Sequence, residues 1–131
     1  MATIFSRIVA GEIPCYKVAE DEHHLAFLDI QPITRGHTLV IPKMRIDYLF
    51  DLEDAPLTRL LLFTKKVALG VQKAVPCRRI GMSVVGLEIP HAHVHLVPID
   101  TADDLNFTRP KLKPSQDELK EAQQKILQAL N

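Results

Sequence analysis

Apolar residues recur along the chain with two periods, and each period predicts a different kind of element. The stretches YKVA, LAFLDI, HTLVIP, RRIGMSVVG and HAHVHLVPI are short and bounded by turn residues, which is typical of strands. The turn-like segment EDEH lies between the first two stretches and predicts an antiparallel hairpin. We assign His23, the last residue of this segment, and the adjoining His24 to the turn and expect both to be exposed to solvent.

Helical spacing of apolar residues appears in three places. It runs through residues 54–74, which predicts a long helix. Near the amino terminus, Thr3 can cap a short helix that Gly11 can end. Near the carboxyl terminus, Ser115 stands in capping-box register at the start of an amphipathic helix over about residues 115–130.

The order of these elements predicts an α+β fold. Runs of strands separated by hairpin-length turns, with helices between the groups, favour a five-stranded, mainly antiparallel sheet over βαβ winding. The chain has 131 residues and 47% apolar composition, so residues 1–131 fit one domain with a sizeable core, including the C-terminal helix.

Charge and cysteine content narrow the possible partners. Lys+Arg and Asp+Glu are each 16, so no general basic field is available to hold nucleic acid. Cys15 and Cys77 are too few for a disulfide framework, and neither belongs to a close C-x-x-C pair, which favours a reducing compartment. No stretch approaches the roughly 18 apolar residues of a membrane span, and the amino terminus lacks a signal-peptide pattern. We therefore expect a cytoplasmic protein that binds neither nucleic acid nor membrane.

The segment PHAHVHLVPI contains half of the chain's six histidines. On a strand, His91, His93 and His95 would share one face, because side chains alternate between the two faces. An exposed strand that is merely rich in histidine is one interpretation, and a metal site is another, although no cysteine or carboxylate stands at ligand spacing. A third is nucleophilic catalysis at phosphorus, in which one imidazole attacks and its neighbours orient it.

The segment HAHVHLV resembles the H-φ-H-φ-H-φ-φ signature of the histidine triad (HIT) family. The stretches FLDIQP and GHTLVIPK stand in the order and spacing of its Hint-like branch, so the resemblance runs from about Ile4 to Ile99. It implies a HIT-like fold and a nucleotide hydrolase or transferase. Such an enzyme cleaves a nucleoside α-phosphate from its leaving group through a covalent nucleotidyl-histidine. The resemblance implies a purine nucleotide substrate and a homodimer. We expect no cofactor, because a neutral imidazole can attack without one, and no metal, because no cysteine or carboxylate completes a site with the triad.

The resemblance also implies roles for particular residues. His93 matches the nucleophile, and His91 and His95 match the flanking histidines that contact phosphate and orient it. His37 matches the fourth histidine of the site, and Asp29 matches the carboxylate that accepts the ribose hydroxyls. Positions that match the wall of the base pocket are Ile4, Phe5, Ile8, Phe27 and Ile30.

Two parts of the chain depart from the Hint-like pattern. The loop SVVGLEIPH is short, so the proton donor for the leaving group has no counterpart; Ser83 is expected to lie too far back along its strand, and Glu88 is one candidate. Beyond Asp100, the segment NFTRPKLKP is expected by similarity to approach the pocket with its basic residues Arg109, Lys111 and Lys113, while a solvated basic loop is the alternative.

The combined prediction is a hydrolase of purine nucleoside phosphoramidates or related adenylylated compounds. Dinucleoside polyphosphate hydrolysis is one alternative. A nucleotide-sensing or partner-binding module without catalysis is another, and an intact His93 favours the enzyme because a binding module needs no nucleophile.

Overall fold

A computed structural model describes residues 2–131 and has a five-stranded sheet with three α-helices. The strands are β1 (Lys17–Glu20), β2 (His24–Leu28), β3 (Thr38–Pro42), β4 (Arg79–Ser83) and β5 (Val94–Ile99). The helices are α1 (Ile4–Val9), α2 (Asp54–Ala74) and α3 (Gln116–Leu130), with short 3₁₀ helices at Leu49–Asp51 and Ala102–Leu105. All neighbouring strands are antiparallel, in the order β1-β2-β3-β5-β4, which confirms the predicted fold class. No helix within residues 2–131 is both long and apolar enough to cross a membrane.

Helix α1 begins and ends at the residues that the sequence indicates. The Thr3 hydroxyl accepts a hydrogen bond from the Ser6 N–H (3.1 Å), and the Thr3 N–H donates to the Ser6 hydroxyl (2.8 Å). This reciprocal cap satisfies backbone donors that the first helical turn leaves free. Gly11 follows the helix with φ of +80°, a conformation that glycine adopts without steric cost.

The central strands are buried on both faces, which divides the core into two clusters. In β2, Ala26 and Leu28 point towards the face that α2 and α3 cover, whereas Leu25 and Phe27 point towards the face that carries α1. Burying each large apolar side chain of this kind stabilises the fold by roughly 1.5–3 kcal/mol. The functional histidines described below lie on the α1 face.

Helix α3 is docked and not solvated. Its stripe of Leu119, Ala122 and Ile126 is buried in the same cluster as residues of α2. At Gly70 of α2, an added Cβ would lie 2.4 Å from the Leu130 side chain, so glycine permits the close approach of the two helices. A 15-residue helix is marginal alone in water, so this packing stabilises α3 and fixes the segment that leads to it.

The predicted exposure of His24 is wrong, whereas His23 is exposed as expected. His24 is the first residue of β2, and the alternation of side chains points it towards the α2 face together with Ala26. Its ring lies 5.0 Å from the Phe63 ring, and its Nδ1 lies 3.0 Å from a carboxylate oxygen of Asp21. The strand therefore begins inside the segment that the sequence assigns to the turn.

The predicted strand over the three histidines is also too long. The pairing of β3 with β5 ends at Val40 and Val94, so only His95 of the triad lies within β5. The preceding Ala92 N–H donates to the Ile46 carbonyl (2.7 Å) instead of to a strand neighbour. The loop between β3 and α2 thus replaces the sheet as the partner of this segment.

Candidate active site

Cross-strand register places His95 in the middle of the sheet. Phe27 pairs with Leu39, Leu39 pairs with His95, and His95 pairs with Ser83, so these four residues form a row on the α1 face. Ser83 therefore lies directly opposite His95, and the expectation that it lies too far back along its strand is wrong. The antiparallel register between β4 and β5 is what the sequence alone does not reveal.

His37 and His95 form a hydrogen-bonded pair with defined tautomers. The Ile33 N–H donates to His37 Nδ1 (3.1 Å), so this nitrogen carries a lone pair. His37 Nε2 must then carry the proton in the neutral ring, and it donates to His95 Nδ1 (3.0 Å). The remaining nitrogen of His95, Nε2, therefore carries a proton and is a hydrogen-bond donor.

His93 is oriented by the backbone of its neighbour in the triad. Its Nδ1 lies 2.7 Å from the His91 carbonyl oxygen, and because a carbonyl only accepts, Nδ1 carries the proton. The Nε2 atom of a neutral His93 then holds a lone pair, which is the form that a nucleophile requires. The His91 ring is anchored differently, with its Nε2 donating to the Pro42 carbonyl (2.8 Å).

The flanking imidazoles are neutral at physiological pH. Burial lowers the pKa of His37 to about 3 and, together with the nearby His93 and Lys111 charges, lowers the pKa of His95 to about 4. Burial also lowers the pKa of His91. The site can thus donate and accept hydrogen bonds at pH 7, but these three rings contribute no positive charge.

Two phenylalanine rings flank the histidines. The Phe5 ring, from α1, lies edge-on 5.0 Å from the His93 ring. The Phe107 ring, from the segment after β5, lies 4.7 Å from His95 and 6.2 Å from His37, measured between ring centroids. Phe107 was not predicted to belong to the site, because a single aromatic residue in a polar, proline-containing segment carries no periodic signal.

The residues expected around ribose and base differ in exposure. The side chain of Asp29 is 23% exposed; one carboxylate oxygen accepts the Gln31 N–H (2.8 Å), and the other lies 3.7 Å from His37 Nε2. Burial raises the pKa of this carboxyl group. Phe5 and Phe27 are buried and pack edge-on at 5.6 Å, whereas Ile4 and Ile30 are exposed and Ile8 is half-buried. The two isoleucines at the surface are therefore accessible to a ligand, whereas the two phenylalanines belong to the core, where Ile8 packs against their cluster.

A cavity of about 310 Å³ lies on the far side of Asp29 and His37. It is bounded by the loop before β3 and by the segment that leads into α3, including Arg35 and Lys113. Asp29 and His37 line this cavity, whereas His93 does not. Glu88, the suggested proton donor, is exposed.

Asp29, His37 and His95 bring metal-ligating atoms within 4.8 Å of one another. The hydrogen bonds work against coordination there, because Ile33 occupies the Nδ1 lone pair of His37 and leaves Nε2 protonated. A metal ion would have to displace the bond between His37 and His95. We therefore interpret this cluster as a hydrogen-bonded chain, and the expectation of no metal cofactor stays a prediction.

Comparisons with known proteins identify the family. Residues 10–102 match the HIT domain. This chain belongs to the HIT family. The adenosine 5′-monophosphoramidase of Schizosaccharomyces pombe is 39% identical over 100 residues, covering 75% of this chain and 74% of that protein.

Solved structures agree with this assignment. The Hit-like protein of Bartonella henselae superposes with a TM-score of 0.84 at 30% identity, covering 97% of this chain and 95% of that one. The histidine triad nucleotide-binding protein of Sulfolobus tokodaii superposes with a TM-score of 0.81 at 30% identity, covering 96% of this chain and 90% of that one. The resemblance to the Hint-like branch is confirmed. Phe107 and Lys111 lie beyond the residues that match the HIT domain.

Proposed function

We propose that this HIT protein hydrolyses purine nucleoside phosphoramidates or related adenylylated compounds through a covalent nucleotidyl intermediate on His93. The observation that carries the proposal is the 2.7 Å contact of His93 Nδ1 with the His91 carbonyl oxygen, which leaves Nε2 as the nucleophile. The similarity to the phosphoramidase of S. pombe supports the substrate class.

The reaction takes place in two displacements at phosphorus. His93 Nε2 attacks the α-phosphorus, the bond from phosphorus to the amine nitrogen breaks, and the amine leaves with a proton taken from solvent. Water then attacks the same phosphorus, the bond from phosphorus to His93 breaks, and the nucleoside monophosphate is released with the water's proton returned to solvent. The His95 Nε2–H donates a hydrogen bond to a phosphate oxygen as charge builds up, because His37 holds the opposite nitrogen as an acceptor.

Nucleotide recognition follows from the surfaces around the histidines. Asp29 accepts hydrogen bonds from the ribose hydroxyls through the carboxylate oxygen that Gln31 does not occupy. Ile4, Ile8 and Ile30 contact the base, and Phe5 and Phe27 support them from the core. No cofactor takes part, and the cytoplasmic location expected from the two free cysteines stays a prediction.

Assembly as a homodimer is part of the proposal. Leu62 and Leu69 on α2 are 63% and 53% exposed, and Met82 on β4 is 57% exposed. β4 is an edge strand, and an unpaired edge beside an exposed apolar helix face favours self-association. A two-fold contact through these residues would cover both the edge of β4 and the exposed apolar face of α2.

The direct test compares turnover of a fluorogenic adenosine phosphoramidate with turnover of diadenosine polyphosphates, for wild type and for His93→Ala. We expect faster turnover of the phosphoramidate and a loss of at least about a thousandfold in His93→Ala. Preferential cleavage of the polyphosphates would support the alternative hydrolase. Binding of AMP without turnover of either substrate would support the nucleotide-sensing module.

A further inference from the structure

A nucleotide brings negative charge into a site in which three of the four imidazoles carry no positive charge. The pKa values of His37 and His95 lie at about 3 and about 4 because the rings are buried, and burial also lowers the pKa of His91. These rings donate and accept hydrogen bonds but do not neutralise a phosphate. A cation held beside them would do so, since Coulomb attraction is stronger near a partly desolvated site than in bulk water.

Hydrogen bonds hold the segment after β5 on both sides of Phe107. Arg109 Nη1 donates to Asp104 (2.8 Å), a residue of the 3₁₀ helix Ala102–Leu105, and this bond closes the chain around Phe107 into a loop. Further along, the Leu112 N–H donates to the Pro32 carbonyl (2.9 Å), in the loop that leads to His37. The Phe107 ring packs edge-on against His95 and His37.

Lys111 is the basic residue that this segment directs to the histidines. Its Nζ donates to the Phe107 carbonyl (2.6 Å) and lies 5.7 Å from the centroid of the Phe107 ring. The Phe107 ring in turn lies 4.7 Å from the His95 ring, so Lys111 is connected to the histidines through Phe107. After burial, its charge is among the causes that lower the pKa of His37 and of His95, and it also acts on the carboxyl of Asp29.

The other two cations of the segment are directed elsewhere. Arg109 is paired with Asp103 and Asp104. Lys113 lines the neighbouring cavity, which His93 does not reach. Lys111 retains two of its three N–H donors for a ligand, since one is used by the Phe107 carbonyl.

We propose that Lys111 is a substrate-binding residue whose ammonium group pairs with the negatively charged phosphate of the nucleotide, and that Phe107 positions it beside His37 and His95. The inference rests on the proposed function, since it presumes that a nucleotide phosphate reaches His93. It adds a charged contact from outside the residues that match the HIT domain, and it favours the expected approach of this segment to the pocket over the solvated basic loop.

The test compares Lys111→Met and Lys111→Arg with Lys120→Met, a variant that removes one positive charge from an exposed position on α3. AMP binding is measured by calorimetry at low and high salt, and the KM and kcat are measured for an adenosine phosphoramidate with an uncharged leaving group. We expect Lys111→Met to raise the Kd for AMP and the KM about tenfold, the typical effect of losing a charge-assisted hydrogen bond. Lys111→Arg should stay within about threefold of wild type, and Lys120→Met should match wild type.

Salt dependence separates a charge contact from a structural role. Added salt should weaken AMP binding more steeply in wild type than in Lys111→Met. The melting temperature of Lys111→Met should equal that of wild type, because Lys111 is exposed. If wild type turns over the substrate and Lys111→Met has the same Kd, KM and salt dependence as wild type, the role of Lys111 is overturned and the proposed function is not. A wild-type protein that neither binds AMP nor turns over the substrate would overturn the proposed function and this role with it.

Discussion

Replacing His37 with leucine tests the hydrogen-bonded chain that runs from the backbone to His95. Leucine is apolar and therefore suits a position that is 2% exposed, but the substitution removes two hydrogen bonds. The Ile33 N–H loses its acceptor at 3.1 Å, and His95 Nδ1 loses its donor at 3.0 Å. Each buried group left unsatisfied costs about 1–3 kcal/mol, and the apolar replacement offsets part of the sum, so we expect a loss of roughly 3 kcal/mol in the free energy of unfolding.

The same substitution should lower kcat, because His95 is then free to adopt either tautomer. The wrong tautomer places a lone pair on Nε2 where the proposed reaction needs a donor, and we expect at least about a tenfold loss, as in other sites where a partner fixes an imidazole. Urea unfolding at pH 7 and steady-state turnover measure the two effects.

His23→Leu is the matched control, since its side chain is 57% exposed and its loss should change stability by no more than about 0.5 kcal/mol. If His37→Leu unfolded at the wild-type urea concentration and kept wild-type kcat, the account of the His37–His95 pair would be refuted.

Two further predictions concern acid stability and assembly. In the unfolded chain His37 and His95 titrate near pH 6.5, whereas in the folded protein their pKa values are about 3 and about 4. The unfolded state therefore binds more protons between these values. The free energy of unfolding should fall as the pH drops below about 6.5. Each histidine should contribute a slope of about 1.4 kcal/mol per pH unit, opposed in part by Asp29, and urea unfolding midpoints that did not change between about pH 7 and pH 5 would contradict this. Wild type should sediment as a dimer at micromolar concentration and Leu69→Lys as a monomer, whereas a monomeric wild type would count against the proposed interface.

The sequence predicted the elements of the fold well, because each carries a local signal. The Thr3 cap, the long apolar stripe of α2 and the capping box at Ser115 depend on neighbours within a few residues. The start of β5 was not predictable in the same way, since it depends on the contact of Ala92 with Ile46, which is distant in sequence. The burial of His24 depends likewise on Phe63 of α2.

The candidate site was predictable where residue type and spacing match a known pattern, and less so where it depends on tertiary contacts. The HIT family could be recognised from the triad, but the pairing of His95 with Ser83 follows from the register of β4 and is not visible in the sequence. The position of Phe107 beside His95 depends on anchors at both ends of its segment, one of which is the contact of Leu112 with Pro32. Such contacts determine which of several basic residues reaches the site.

The proposed reaction passes through a covalent intermediate on His93, which rapid-quench mass spectrometry can detect. Wild-type protein is mixed with an adenosine phosphoramidate, quenched within one turnover in alkaline denaturant, and digested for peptide mapping. We expect one added nucleoside monophosphate on the peptide that contains residues 90–99, located on His93, and no adduct in His93→Ala. An adduct located on His91 or His95, or turnover by wild type without any adduct, would contradict it.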